Sequence, residues 1–389
     1  MHKTTKDLLL LALMVIIVTF AIWLPHLLAL PNFWGLNFSQ GFATIYRNFD
    51  GLEYVIIAKT FYNPATFASI PQSLPANYFA SHFPGYSILI ALFALFLGYL
   101  KSMLLVSVGS TILATWAFYF LVRDFRLSSQ PLLLATLFLL LPARWLIVHS
   151  VGASEPTFIL FIILAIYLFM KFEESKQYPY LIYFGIAGLL AQITRPPGIL
   201  LFVALAIYFH WKLFMRRRVI SVKDALLTHL KYIPILLIPL GMLLVFYLFS
   251  VNYGDFWAYF KSGDNIHLTF PPFQVFNKSQ FWVGDIWLED IVYIFILGFL
   301  GGVTLWKKKL YPIAFFVLTY LTAATFIAHR DISRYVLPVT PFILIAFEKV
   351  LVSRKIKIIL PIVLLVIYLY AQNFILSNTA PIPNLEIFN

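Results

Sequence analysis

Arg47-Asn48-Phe49-Asp50-Gly51-Leu52-Glu53-Tyr54 decides how the chain is read, because it follows an apolar run from Leu8 to Leu30 and precedes a succession of further apolar runs. The first run is long enough for a helix to cross a hydrocarbon core of about 30 Å, which takes about 20 residues. The octapeptide then sets two carboxylates and an arginine where that anchor meets water. In a chain that is 61% hydrophobic and only 11% charged, carboxylates held at such a boundary require a cause.

A soluble domain is about 45–50% apolar and about 25% charged, so the 389-residue chain reads as an integral membrane protein. Apolar runs of about 17–25 residues indicate an all-α, polytopic helix bundle, since membrane β-strands alternate in character. The absence of cysteine excludes disulfides, thiolate metal sites, iron–sulfur clusters and a cysteine nucleophile. The net charge of +12 does not imply a nucleic-acid partner. Its basic residues sit in short clusters between spans, such as Arg216-Arg217-Arg218 and Lys307-Lys308-Lys309, which is the signature of cytoplasmic loops. The basic Met1–Lys6 and the long apolar run after it read as an uncleaved anchor rather than a signal peptide.

Spans are expected near 8–30, 102–122, 129–147, 156–171, 179–194, 197–214, 231–251, 288–306, 310–328, 335–352 and 358–377. The stretch 86–100 is ambiguous: as helix it covers roughly 22 Å, short of the bilayer core. With 86–100 along the interface or re-entrant, the basic clusters at 123–126, 171–176, 212–223, 307–309 and 354–357 all share the amino-terminal side. The expectation is therefore about eleven transmembrane helices, with the carboxyl terminus outside. That topology puts Asp50, Glu53, Glu155, Asp255, Asp264, Asp285, Glu289, Asp290 and Asp331 on the outer side, with the long segments 31–101 and 252–287. Elaborated loops on one face carry function, because helices only position them. The chain reads as one membrane domain, 1–389. Within it, 1–218 forms a core module with the first outer loop 31–101, and 219–389 forms a more variable helical module.

Several outer residues could carry chemistry. Asp50 and Glu53 share a face of a short helix expected from Gly51 to Tyr62 and ended by Asn63-Pro64. Asp50 could act as general base toward a hydroxyl, or the pair could form a capping box, with Asp50 as N-cap. Ser81-His82-Phe83-Pro84-Gly85-Tyr86 closes the loop, with His82 near the carboxylates or simply hydrogen-bonded. Glu155, before Pro156, suits a helix amino terminus, and an ionisable residue at the edge of a span is equally a functional candidate. Arg195, in Thr194-Arg195-Pro196-Pro197-Gly198, could bind an anionic headgroup or snorkel to lipid phosphates. In His329-Arg330-Asp331-Ile332-Ser333-Arg334-Tyr335, Arg330 and Arg334 could clamp a phosphate while Asp331 holds one of them. Asp50 and Glu53 could offer oxygen ligands to a divalent metal, but no second cluster completes an octahedron, so a metal requirement stays open.

Taken together these residues resemble the GT-C fold of integral membrane glycosyltransferases, and within it the PIG-V-like mannosyltransferases. The resemblance rests on Phe49-Asp50-Gly51-Leu52-Glu53-Tyr54, Phe83-Pro84-Gly85-Tyr86, Ser154-Glu155, Thr194 to Gly198 and Arg334 to Pro338. It departs at Phe49, where such families often show Trp, and in having no adjacent Asp-Glu pair. The resemblance implies inverting transfer of a hexose from a polyprenyl-phosphate sugar to a glycan or glycolipid acceptor. Asp50 and Glu53 would be the catalytic acids. His82, Tyr86, Glu155, Arg195, His329, Arg330, Asp331, Arg334 and Tyr335 would contact substrate. The site would face outward from the cell membrane, with membrane lipids as further partners. Two other readings fit parts of the pattern. A lipid-linked sugar transporter or flippase would need charged or broken segments within spans, and a polysaccharide ligase or polymerase acting on a diphosphate-linked donor would need a key histidine.

Overall fold

The computed structural model describes residues 2–71, 74–215, 231–262, 268–280, 282, 288–380 and 385–388. Arg216-Arg217-Arg218, the module boundary after residue 218, Asp264 and Asp285 lie outside the described residues. Among the described residues every named element is a helix, joined only by isolated β-bridges. The chain is a multi-pass membrane protein. Among the described residues, seven helices are long and apolar enough to cross a bilayer: Lys3–Leu27, Tyr99–Asp124, Glu155–Ser175, Pro196–Met215, Ile233–Tyr253, Glu289–Lys307 and Arg354–Ser377. An eighth crossing forms if Pro131–Leu140 and Ala143–Ser150, bent by 75°, make one span. The remaining expected spans correspond to shorter apolar helices, Tyr178–Thr194, Tyr311–Ala324 and Ile332–Ala346. Proline stands in the first turn of several of these helices, where its missing N–H costs no hydrogen bond.

Glu155–Ser175 is central, packing between Tyr99–Asp124 and Tyr178–Thr194, and the latter packs on Leu237–Tyr253. It is buried on most sides, whereas Arg354–Ser377 leaves Ile358, Ile362 and Val366 exposed. Such an apolar outer surface suits lipid rather than water.

The 31–101 segment carries short helices, as expected: Ala43–Tyr46, Gly51–Thr60, Pro64–Ala68 and a 3-10 turn at Ala76–Ser81. The Gly51–Thr60 helix ends two residues before the expected Tyr62. Phe61 and Tyr62 both take positive φ, and the Tyr62 hydroxyl donates to the His82 carbonyl at 2.6 Å. Asn63 then opens the next helix, accepting from the Ala65 amide at 3.0 Å. The ambiguous stretch is a 13-residue helix, Gly85–Leu97, separated by Gly98 from the long helix Tyr99–Asp124. Its outer tip exposes Leu95 and Phe96.

Two glycines bring the first loop against the central helix. A Cβ on Gly51 would stand 2.8 Å from the Gly152 carbonyl oxygen, and one on Gly152 would collide with the Met103 side chain. That close approach sets Asp50 beside the start of the Glu155–Ser175 helix. The end of the Arg354–Ser377 helix and the residues just after it tie in as well: Asn48 Nδ2 donates to the Ile375 carbonyl at 2.7 Å, and the Ala380 amide to that of Arg47 at 2.6 Å.

Candidate active site

Helix ends from four separate parts of the chain converge on one charged knot. Arg334, in the short helix Ile332–Tyr335, donates from Nη2 to Asp50 Oδ2 at 2.7 Å and from Nε to Glu155 Oε1 at 2.5 Å. Arg195 Nη1 reaches the same Glu155 oxygen at 2.7 Å and Ser154 Oγ at 2.8 Å. Ser154 Oγ in turn donates to the Tyr54 hydroxyl at 2.9 Å. Glu155 therefore pairs with two guanidinium groups through one oxygen, while its Oε2 is buried without a hydrogen-bond partner. Glu155 and Arg334 are 1% and 6% exposed at the side chain, whereas Asp50 is 32% exposed. Asp50 is the face of the knot that solvent can reach.

Asp50 occupies the N-cap position of the Gly51–Thr60 helix, yet its side chain makes no capping hydrogen bond. The capping-box reading is thereby corrected: the Arg334 guanidinium is the stronger partner and takes the carboxylate. Burial pushes the Asp50 carboxyl up, but Arg334 and His82 outweigh it and hold the group below the usual carboxylate range. His82 Nε2 lies 3.9 Å from Asp50 Oδ2, its Nδ1 pairs with Ser81 Oγ at 2.8 Å, and its ring meets Tyr54 edge-on. Burial lowers the His82 pKa against the pull of Asp50.

Phe49, just before Asp50, adopts a left-handed backbone with φ 48°. An aromatic residue there is strained, and such strain gathers at functional sites. The conformation stacks the Phe49 ring on Phe374 and places it 4.5 Å beneath the Arg334 guanidinium. A cation over an aromatic face is attracted by the ring quadrupole.

Glu53 sits one turn beyond Asp50, buried, with Oε2 unpartnered. Burial and then the Asp50 charge push its carboxyl up to about 8. Two neighbouring carboxylates thus differ in state near neutrality: Asp50 is ionised and Glu53 is protonated. Tyr86 was expected at the substrate, but it is fully buried with its hydroxyl on the Met103 carbonyl and Ser107 Oγ. It supports Tyr54 from behind, ring against ring at 5.2 Å.

The 329–335 loop divides its charges differently from the expected clamp. Asp331 Oδ1 pairs with Arg144 Nη2 at 2.8 Å, while Asp50 and Glu155 make the direct ion pairs to Arg334. Arg330 is exposed, while Arg334 is buried. His329 Nδ1 accepts from the Asp331 amide at 3.0 Å, and its ring faces Tyr335. The Tyr335 carbonyl accepts from the Tyr320 hydroxyl at 3.0 Å. Arg144 is the charged residue that sequence reasoning passed over. It lies at the 75° break of the bent helix pair, with its guanidinium 3.9 Å over Phe374 and its Nε on Ser333 Oγ at 3.2 Å. The signal was an arginine inside the apolar run 129–147, which is costly unless partnered. Tyr54 and Ser154 belong to the same network, since Ser154 Oγ bridges Arg195 to Tyr54 of the first loop.

Among the described residues, no group of three His, Asp or Glu side chains is placed to hold a metal ion.

No protein-family model and no curated protein matches the chain. Its structure is similar to that of ArnT from Cupriavidus metallidurans bound to undecaprenyl phosphate. The TM-score is 0.52 at 14% identity, over 88% of this chain and 60% of that one. It also aligns with the archaeal oligosaccharyltransferase AglB from Archaeoglobus fulgidus in complex with an inhibitory peptide and a dolichol-phosphate, at TM-score 0.48 and 14% identity, over 98% of this chain and 56% of that one. The chain thus spans about three fifths of the length of the ArnT chain. The likeness to ArnT shows the fold: the chain adopts the GT-C fold that its sequence resembles.

Proposed function

We propose that this protein is a membrane glycosyltransferase that moves a hexose from a polyprenyl-phosphate donor to a hydroxyl of a lipid-linked or cell-surface glycan. The observation that carries the reading is the Asp50–Arg334–Glu155–Arg195 knot, an accessible carboxylate backed by one buried and one part-buried guanidinium group. ArnT, whose fold the chain shares, is bound to undecaprenyl phosphate in its structure, which supports a donor of that lipid class. The choice of mannose rests on the PIG-V-like sequence motifs, and the outward-facing site in the cell membrane rests on the distribution of basic clusters.

The acceptor oxygen attacks the anomeric carbon as its bond to the phosphate oxygen breaks. The bonding electron pair leaves with the phosphate, and the hydroxyl proton passes to Asp50. One displacement inverts the anomeric centre. Arg334, with Arg195 behind it, stabilises the charge that grows on the leaving phosphate, as preorganised cations do at a developing oxyanion. A phosphate leaves without protonation, so one base suffices, unlike hydrolases that need two working carboxylates. His82 borders the base and can hold the acceptor hydroxyl or sugar by a hydrogen bond.

The test is transfer of radiolabelled mannose from polyprenyl-phosphate-mannose in membranes, comparing wild type with Asp50→Asn. Transfer that collapses in the variant at equal expression supports the enzyme and its base. Transfer that survives moves the base role away from Asp50, and an inactive wild type opposes this donor. A sugar-lipid transporter is the second reading, favoured by the broken helix pair carrying Arg144. Movement of labelled lipid across vesicles without sugar transfer would select it.

A further inference from the structure

Arg334 makes its two ion pairs with partners of very different accessibility. Its Nε contact is to Glu155, at 1% exposure, and its Nη2 contact is to Asp50, at 32%. Phe49 supports the guanidinium from below at 4.5 Å. If Asp50 swings away, Arg334 therefore stays in place, held by Glu155 and the ring. Nothing comparable holds Asp50: its carboxylate makes no capping bond to the helix it precedes. The resting site thus has its solvent-facing carboxylate seated on the guanidinium edge that an incoming anion would need.

We propose that the phosphate of the donor displaces Asp50 from Arg334, so that the carboxylate is freed to act as base only once the donor is bound. This inference rests on the glycosyltransferase reading above. Carboxylate and phosphate oxygens compete for the same planar donors, and a phosphate offers more oxygens and more charge. The exchange changes the neighbour of Asp50 from a cation to an anion, and an anionic neighbour favours the protonated carboxyl. Proton capture from the acceptor is thereby promoted at the moment the leaving group is in place. The displaced carboxylate stays beside His82, whose Nε2 lies 3.9 Å from the same Oδ2. Without donor, Asp50 stays on Arg334, and water in the open site meets a paired, weakly basic carboxylate.

Binding of sugar-free polyprenyl phosphate to the purified full chain in lipid nanodiscs tests the exchange. Removing the competing charge in Asp50→Asn or Asp50→Ser is expected to tighten binding about tenfold, the scale of one charged hydrogen bond. A static structural ion pair predicts the opposite sign, since its loss loosens Arg334. If the wild type binds and both variants bind equally or more weakly, the exchange is overturned while the donor class stands. If neither wild type nor variants bind, both readings fall. The wild type supplies a measurement that needs no folded variant. Coupling of Asp50 to an amine by carbodiimide, read by peptide mass spectrometry, is expected to rise when polyprenyl phosphate is present. Unchanged or reduced labelling counts against the exchange.

Discussion

Arg334 and Asp50 stand 284 positions apart in the chain and meet at 2.7 Å. The contact closes the first loop onto the penultimate part of the bundle. It also joins the proposed base to the group proposed to stabilise the leaving phosphate. Most consequences of the site follow from that one pair and from Glu155 beneath it.

Asp50→Asn keeps the size of the side chain and removes its capacity to accept a proton. Sugar transfer is expected to fall by about 10²–10⁴-fold, the usual contribution of a general base, well beyond any loss of folded protein that follows from the missing Arg334 ion pair. Transfer in membranes from a radiolabelled donor, normalised to protein, measures it.

Glu155→Gln leaves two guanidinium groups side by side without their shared carboxylate. Removing one member of a buried charge cluster costs about 3–5 kcal/mol, so the variant is expected to unfold at lower temperature and lose transfer. Arg334→Lys is expected to fare little better, because a single ammonium cannot span Asp50 and Glu155 as the planar fork does. Thermal unfolding in detergent would rank wild type above both variants.

Glu53 makes stability fall as pH rises. Its folded pKa of about 8 lies above the ordinary value near 4.3, so the folded state holds a proton that the unfolded state has released. The stabilisation is full below about pH 4.3 and lost through about pH 8. Asp50 has the opposite sign: its lowered pKa stabilises the fold above the ordinary carboxylate range and is lost in acid. Glu53→Gln is therefore expected to flatten the decline in unfolding temperature between pH 5 and 8.5 and leave the acid limb intact. A variant whose alkaline decline matches the wild type would assign that decline to other groups.

Gly51→Ala tests the packing that positions the base. The added methyl would lie 2.8 Å from the Gly152 carbonyl oxygen, on backbone that cannot rotate away. Overpacking of this kind costs about 1–3 kcal/mol, and here it also pushes Asp50 away from Arg334. Loss of transfer greater than the loss of folded protein is the expected result. Equal losses would mean that the contact is structural alone.

Much of the site could be read before any fold was known. Asp50, Glu53, Glu155, Arg195 and Arg334 are rare charges in an apolar chain, and four of the five lie in one ion-paired knot while Glu53 stands beside it. The errors were errors of pairing. Asp331 reads as serving the arginines of its own loop, whereas its direct ion pair is with Arg144 from a distant helix break. Asp50 was weighed as a local cap, but a residue far along the chain outcompetes the adjacent amides. Tyr86 was placed at the substrate because it belongs to a motif, and its hydroxyl proved to be bonded inward.

The sequence by itself determined the membrane class and the positions of the apolar runs. It also marked the loop that carries the carboxylates. These follow from local hydropathy and charge, because a bilayer tests each segment against the same solvent. Only the tertiary structure decided which carboxylate faces which guanidinium, that Asp50 stays accessible while Glu155 is sealed, and that two neighbouring acids take different protonation states. Those outcomes depend on distances of a few ångströms between remote segments, and on desolvation that no single segment carries alone.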